Sequence, residues 1–163
     1  MKNTGLASLA AIATAIVLGA CGGGGGSNST KFVATLNGAN ETPAVVTNGT
    51  GTGTFTLSGT MVTYNITATG LSGNATASHI HVGGTTVAGP IVLPFPASAI
   101  VNGAAGAVTV SGTFTTADVV PQANPPINTL DDLLVQMRAG NTYANIHTAA
   151  HPGGEIRGQI SLQ

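Results

Sequence analysis

From Tyr143 to Ile160 the chain reads Y-A-N-I-H-T-A-A-H-P-G-G-E-I-R-G-Q-I, and the alternation within it admits few structures. Ala144 and Ile146 fall on one parity and Tyr143, Asn145 and His147 on the other, the period of a strand with one buried face. After Pro152-Gly153-Gly154 the pattern resumes, with Ile156, Gly158, Ile160 and Leu162 on an apolar side and Glu155, Arg157 and Gln159 opposite. Proline fixes φ and glycine accepts positive φ, so Thr148 to Gly154 is expected to turn and the two arms to pair as a β-hairpin. Its polar face would carry Tyr143, Asn145, His147, Glu155 and Arg157 together. Only 6% of the chain is charged, so much of its polar chemistry sits here.

The N-terminus follows another logic. Residues 1–20 hold one lysine near the start and a mostly apolar run from Leu6 to Leu18, shorter than the roughly 20 residues a membrane span takes. They are expected to be a signal peptide. Leu18-Gly19-Ala20-Cys21 closely resembles the lipobox of bacterial lipoproteins, whose cysteine becomes the lipidated first residue. Cys21 is the only cysteine, so no disulfide forms within the chain, and lipidation would remove an exposed thiol. Buried acyl chains contribute about 0.8 kcal/mol per CH₂, enough to hold a multiply acylated N-terminus on its membrane. Gly22 to Thr30 is a Gly/Ser-rich tether with an average reach of roughly 15–18 Å. The expected location is a bacterial cell envelope, membrane-anchored through Cys21. Gly22 in place of Asp resembles outer-membrane sorting if the cell is Gram-negative.

Residues 31–163 have the length of one domain. Three cations (Lys31, Arg138, Arg157) face five acids (Glu41, Asp118, Asp131, Asp132, Glu155), so there is no basic stripe for nucleic acid. Thr, Val, Gly, Ala and Ile dominate, as in pleated surfaces joined by frequent turns. Strands are expected at Lys31–Leu36, Gly53–Leu57, Met61–Thr69, Ala77–Val82, Gly89–Leu93 and Ala107–Phe114, followed by the closing hairpin. The expected fold is all-β, a Greek-key β-sandwich or barrel of about eight strands. One helix is expected at Leu130–Ala139, N-capped by Thr129 and stopped by Gly140, with Leu130, Leu133, Leu134 and Met137 turned to the core.

All four histidines fall in two places, His79 and His81 in A-S-H-I-H-V, and His147 and His151 in N-I-H-T-A-A-H-P. Ile80 and Val82 share one face of the first segment, which puts His79 and His81 on the other. If the two segments are neighbours, three imidazoles meet on one outer face. Imidazoles projecting in parallel suit copper or zinc. His151 is either a fourth ligand or a solvent-facing turn residue. The alternative to a metal site is a set of hydrogen-bonded histidines that hold the hairpin in place. Glu155 and Arg157, two apart, read as a surface ion pair worth about 0–1 kcal/mol, and Arg157 can also reach Glu41 as a clasp on the first loop.

Enzyme chemistry finds little support, and whether the protein is an enzyme stays open, leaning against. The chain has no G-x-S-x-G elbow, no free cysteine and no Asp near the histidines in sequence. Asp131 and Asp132 sit at the start of a packing helix and are not a paired-carboxylate site.

Three motifs together, L-N-G-A-N-E-T-P-A-V at Leu36–Val45, H-I-H-V-G with G-P-I-V across His79–Val92, and the closing stretch, resemble the CHRD domain, the repeated module of chordin. The resemblance covers nearly all of residues 31–163 and implies an extracellular β-sandwich acting as a binding or structural module. The animal partner does not transfer to a bacterium, so the ligand outside the cytoplasm is unassigned. H-I-H followed by glycine also resembles the copper strand of Cu/Zn superoxide dismutases. That enzyme also needs a bridging histidine and a zinc-site aspartate, neither of which the sequence places, so the alternative function is copper or zinc binding at His79, His81 and His147, with dismutase-like chemistry behind it.

Overall fold

The computed structural model describes residues 30–163, together with Met1. The expected signal peptide, Cys21 and the tether up to residue 29 lie outside the described residues. Thr30, placed in the tether on sequence grounds, already pairs with Leu57 as the first residue of a strand.

The described chain forms twelve strands and one α-helix. In chain order these are β1 (Thr30–Asn37), β2 (Thr50–Ser58), β3 (Met61–Thr69), β4 (Ala75–Val82), β5 (Ile91–Pro94), β6 (Ile100–Asn102), β7 (Val108–Phe114), β8 (Gln122–Ala123), β9 (Pro126–Ile127), α1 (Leu130–Arg138), β10 (Thr142–Thr148), β11 (Ile156–Gln159) and β12 (Ser161–Leu162). Ten belong to one sheet in the order β5-β4-β10-β11-β1-β2-β3-β7-β6, with β12 also on β1, while β8 and β9 form a separate ribbon. The all-β class is as expected. The strands beyond the expected eight are mostly two or three residues long, too short for alternation to register.

Alternation dictates the inside of the curled sheet. Along β3, Val62, Tyr64, Ile66 and Ala68 are buried and the intervening residues exposed. Phe32, Phe55 and Tyr64 lie opposite one another across β1, β2 and β3. Phe114 on β7 and the loop residue Phe95 then pack beside Tyr64, with Phe95 stacked on its ring at 4.2 Å. Each such side chain stabilises the fold by about 1.5–3 kcal/mol. The curl closes through a side chain where β6 meets β4. The Asn102 amide accepts from Ala75 N at 2.7 Å and donates to Ala75 O at 3.1 Å, substituting for a ladder pair.

Helix α1 behaves as its sequence requires. Thr129 Oγ1 accepts from Asp132 N and Asp132 returns the contact to Thr129 N, a complete capping box. Gly140 ends it at φ +69°, a conformation glycine adopts without penalty. Leu130, Leu133, Leu134 and Met137 are all buried, and the helix lies against β9 and β12.

Two expectations for the hairpin fail. Leu162 is 55% exposed and not on the apolar face, because β12 has left the hairpin register and pairs with β1. Glu155 does not share a strand face with Arg157. It lies in a bend before β11 begins, where the alternation rule has no force.

Candidate metal centre

β4 and β10 are antiparallel neighbours, with Tyr143 opposite His81 and Asn145 opposite His79. Side chains two apart on a strand share a face, so His79, His81, Tyr143, Asn145 and His147 all project from the side away from the core. On the other flank of β10, Asn145 faces Arg157 and Tyr143 faces Gln159 of β11. Alternation alone suggests a face open to solvent, but only His79 and His147 are half-exposed on it. The loop over residues 83–90 crosses it, and Tyr143 and Asn145 are only 3% and 2% exposed.

One ligand atom from each of His79, His81 and His147 lies within 4.8 Å of the others. His151 is outside the group. It sits in the turn, where its backbone carbonyl accepts from Gly154 N. Two backbone carbonyls fix the tautomers. His81 Nδ1 donates to Gly89 O at 2.9 Å and His147 Nδ1 donates to Pro152 O at 2.9 Å, which puts the lone pair of each ring on Nε2. His147 Nε2 then accepts from His79 Nδ1 at 3.0 Å. His81 Nε2 is buried without a hydrogen-bond partner.

All three imidazoles are held neutral. Burial, reinforced by the neighbouring His147 and His81, brings the His79 pKa down to about 4 against the pull of Asn145. Burial likewise lowers His81 and His147, opposed by the Gly89 and Pro152 carbonyls respectively. Neutral imidazoles with carbonyl-fixed tautomers are the form in which histidine binds a metal.

The remaining polar residues fall into two further places. His81 stacks on Tyr143 with ring centroids 4.7 Å apart and 5° between planes, and the Arg157 guanidinium carbon lies 3.4 Å from the Tyr143 ring centroid. Since β4 and β11 flank β10, the ring is clamped between the two. Arg157, 2% exposed, donates from Nη2 to Gly84 O at 2.6 Å. It lines a cleft of about 260 Å³ with Asn40, Glu41, Thr42, Thr85, Thr86 and Gln159. Burial raises the Glu41 pKa while the charge of Arg157 opposes the rise.

Glu155 and Arg157 do not form the expected surface ion pair, for both are buried and their partners differ. Glu155 Oε1 accepts from Thr47 Oγ1 at 2.6 Å and Ser72 N at 2.8 Å, and Oε2 from Ser72 Oγ and Thr148 Oγ1, both at 2.6 Å. Sequence reasoning missed Thr47, Ser72 and Thr148 as its partners, and missed the Gly84, Gly89 and Pro152 carbonyls. A backbone carbonyl leaves no signature in a sequence. Ser72 and Thr47 lie in loops whose path depends on the whole fold.

Such a curled sheet, with one compact cluster of imidazoles and amides held under its loops, defines an all-β binding or structural module. Residues 32–160 match the CHRD domain, and the chain belongs to that family. Searches of curated proteins and of solved structures returned no match.

Proposed function

We propose that this CHRD protein is an envelope-anchored module that binds one transition-metal ion, zinc or copper, through His79, His81 and His147. The observation that carries the reading is the convergence of three ligand atoms within 4.8 Å, from two neighbouring antiparallel strands. When bound, such an ion supplies Lewis acidity or, for copper, redox chemistry. Anchoring at Cys21 is supported by the apolar leader and lipobox-like ending of residues 1–21.

A purely structural reading is favoured by a different observation. The His79–His147 contact and the two carbonyl contacts already satisfy most of the cluster's polar atoms with no ion present. Isothermal calorimetry of the full-length protein in detergent, after chelator treatment, separates the two. The metal reading expects one site for Zn²⁺ or Cu²⁺ that a His79→Ala/His81→Ala variant loses, and equal binding by the two proteins rejects it. A superoxide assay on the copper-loaded protein tests dismutase chemistry separately. Activity no greater than that of free copper rejects it.

A further inference from the structure

Four side-chain polar atoms are identified as buried without a hydrogen-bond partner among the described residues, and two of them, His81 Nε2 and Asn145 Oδ1, belong to this cluster. A buried polar group left unpaired is destabilising, so two in one place point to a shared partner. Strand register puts Asn145 at the middle of the imidazoles. It lies directly opposite His79, diagonal to His81, and two residues before His147 on the same face. Its backbone is held on both sides by the β4 and β11 ladders, and its carbonyl oxygen accepts from Ser78 Oγ at 2.6 Å. An asparagine so fixed offers one neutral oxygen donor with two lone pairs.

We propose that Asn145 Oδ1 is a fourth donor of the metal site, completing a neutral set of three imidazole nitrogens and one amide oxygen for Zn²⁺ or Cu²⁺. The inference rests on the metal reading above and adds a residue to it. Calcium and magnesium are excluded by this set, because they take six or more oxygens. Four protein donors also match the closed shell of a structural or storage site, whereas catalytic zinc sites keep one position for water or substrate. A single ion would satisfy both orphaned atoms.

The test uses the full-length protein in detergent, stripped with chelator and titrated with Zn²⁺ by calorimetry and with Co²⁺ by visible absorption. Asn145→Ala is expected to weaken Zn²⁺ binding roughly 10-fold or more and to alter the Co²⁺ bands. Asn145→Asp, of the same shape and with a stronger oxygen donor, is expected to bind at least as tightly as the wild type. Wild-type affinity with an unchanged Co²⁺ spectrum in Asn145→Ala overturns the proposal and leaves the three-histidine site standing. Absence of binding by the wild type instead overturns the metal reading itself. If thermal melting shows that Asn145→Ala does not fold, Asn145→Asp decides. A Co²⁺ spectrum identical to the wild type's then overturns the fourth-donor assignment.

Discussion

Glu155→Gln keeps the side chain's shape and removes only its charge, in a carboxylate that is 0% exposed and accepts four hydrogen bonds. Burial pushes its pKa up, but the donors on Ser72, Thr148 and Thr47 outweigh that and hold it below the ordinary 4.5. An amide retains one oxygen and turns an NH₂ toward hydroxyls that were donating. Hydrogen bonds to a charged group contribute about 1.5–3 kcal/mol each and neutral ones about 0.5–1.5. Four such downgrades, eased by hydroxyl rotation, give an expected loss of about 2–4 kcal/mol. At about 3–5 °C per kcal/mol for a domain of this size, Tm falls by roughly 10 °C. The pH dependence has a definite sign. The folded pKa is lowered, so the contribution is complete above the unfolded value near 4.5 and is lost as pH falls through the folded one. Melting curves followed by circular dichroism at pH 7 and pH 3 should therefore show a gap between wild type and variant that closes in acid. A drop under about 2 °C at pH 7, or a gap undiminished at pH 3, would refute the assignment of stability to this charge.

Three further outcomes are expected. In metal-free protein, His79 titrates near 6.5 when unfolded and about 4 when folded, so the fold loses stability as pH falls from 6.5 toward 4 and recovers none below. At about 1.4 kcal/mol per pH unit, halved for partial exposure, the loss from His79 alone is about 1–2 kcal/mol, measurable by urea titration at pH 7 and pH 4.5. Gly89→Ala would drive a Cβ into the Val82 carbonyl oxygen, so the loop must shift and release both His81 Nδ1 and the Tyr143 hydroxyl. Zn²⁺ affinity measured by calorimetry should fall roughly 10-fold, while Gly153→Ala, where a Cβ meets nothing within 4 Å, leaves it unchanged. Labelled palmitate fed to cells expressing the protein should be incorporated, and Cys21→Ala should abolish the label and release the protein from membranes.

Much of the sheet is legible because period two is a local property. His79 and His81 share a face for the same reason that Val62 and Ile66 do, and His147 joins them because β10 is the strand that β4 pairs with. Adjacency of those two strands, with 59 residues of chain between them (83–141), is not a local property and is supplied by the fold. The misreadings occur where strands end. Glu155 sits one residue before β11 and Leu162 just after a change of partner, so parity counted along the chain places both wrongly. Covering of the polar face was also illegible, since a glycine-rich loop such as residues 83–90 gives no sign of which surface it crosses.

That covering decides what the imidazoles can do. On an open sheet face they would titrate near 6.5 and meet protons in competition with metal. Under the loops they are neutral at pH 7, and Gly89 and Pro152 hold two of the rings in the ligand tautomer. The loops do not by themselves separate an ion site from a hydrogen-bonded clasp, but stability does. An ion bound only to the folded state at 100 times its Kd adds about 2.7 kcal/mol, or roughly 10 °C in Tm at the scale used above. A clasp complete without metal predicts superimposable melts for Zn²⁺-loaded and chelator-treated protein. The His79→Ala/His81→Ala variant supplies the internal control, for it should show no zinc-dependent shift under either reading. A rise in Tm with Zn²⁺ in the wild type alone therefore assigns the gain to this cluster, and coincident wild-type melts assign the cluster to holding the hairpin.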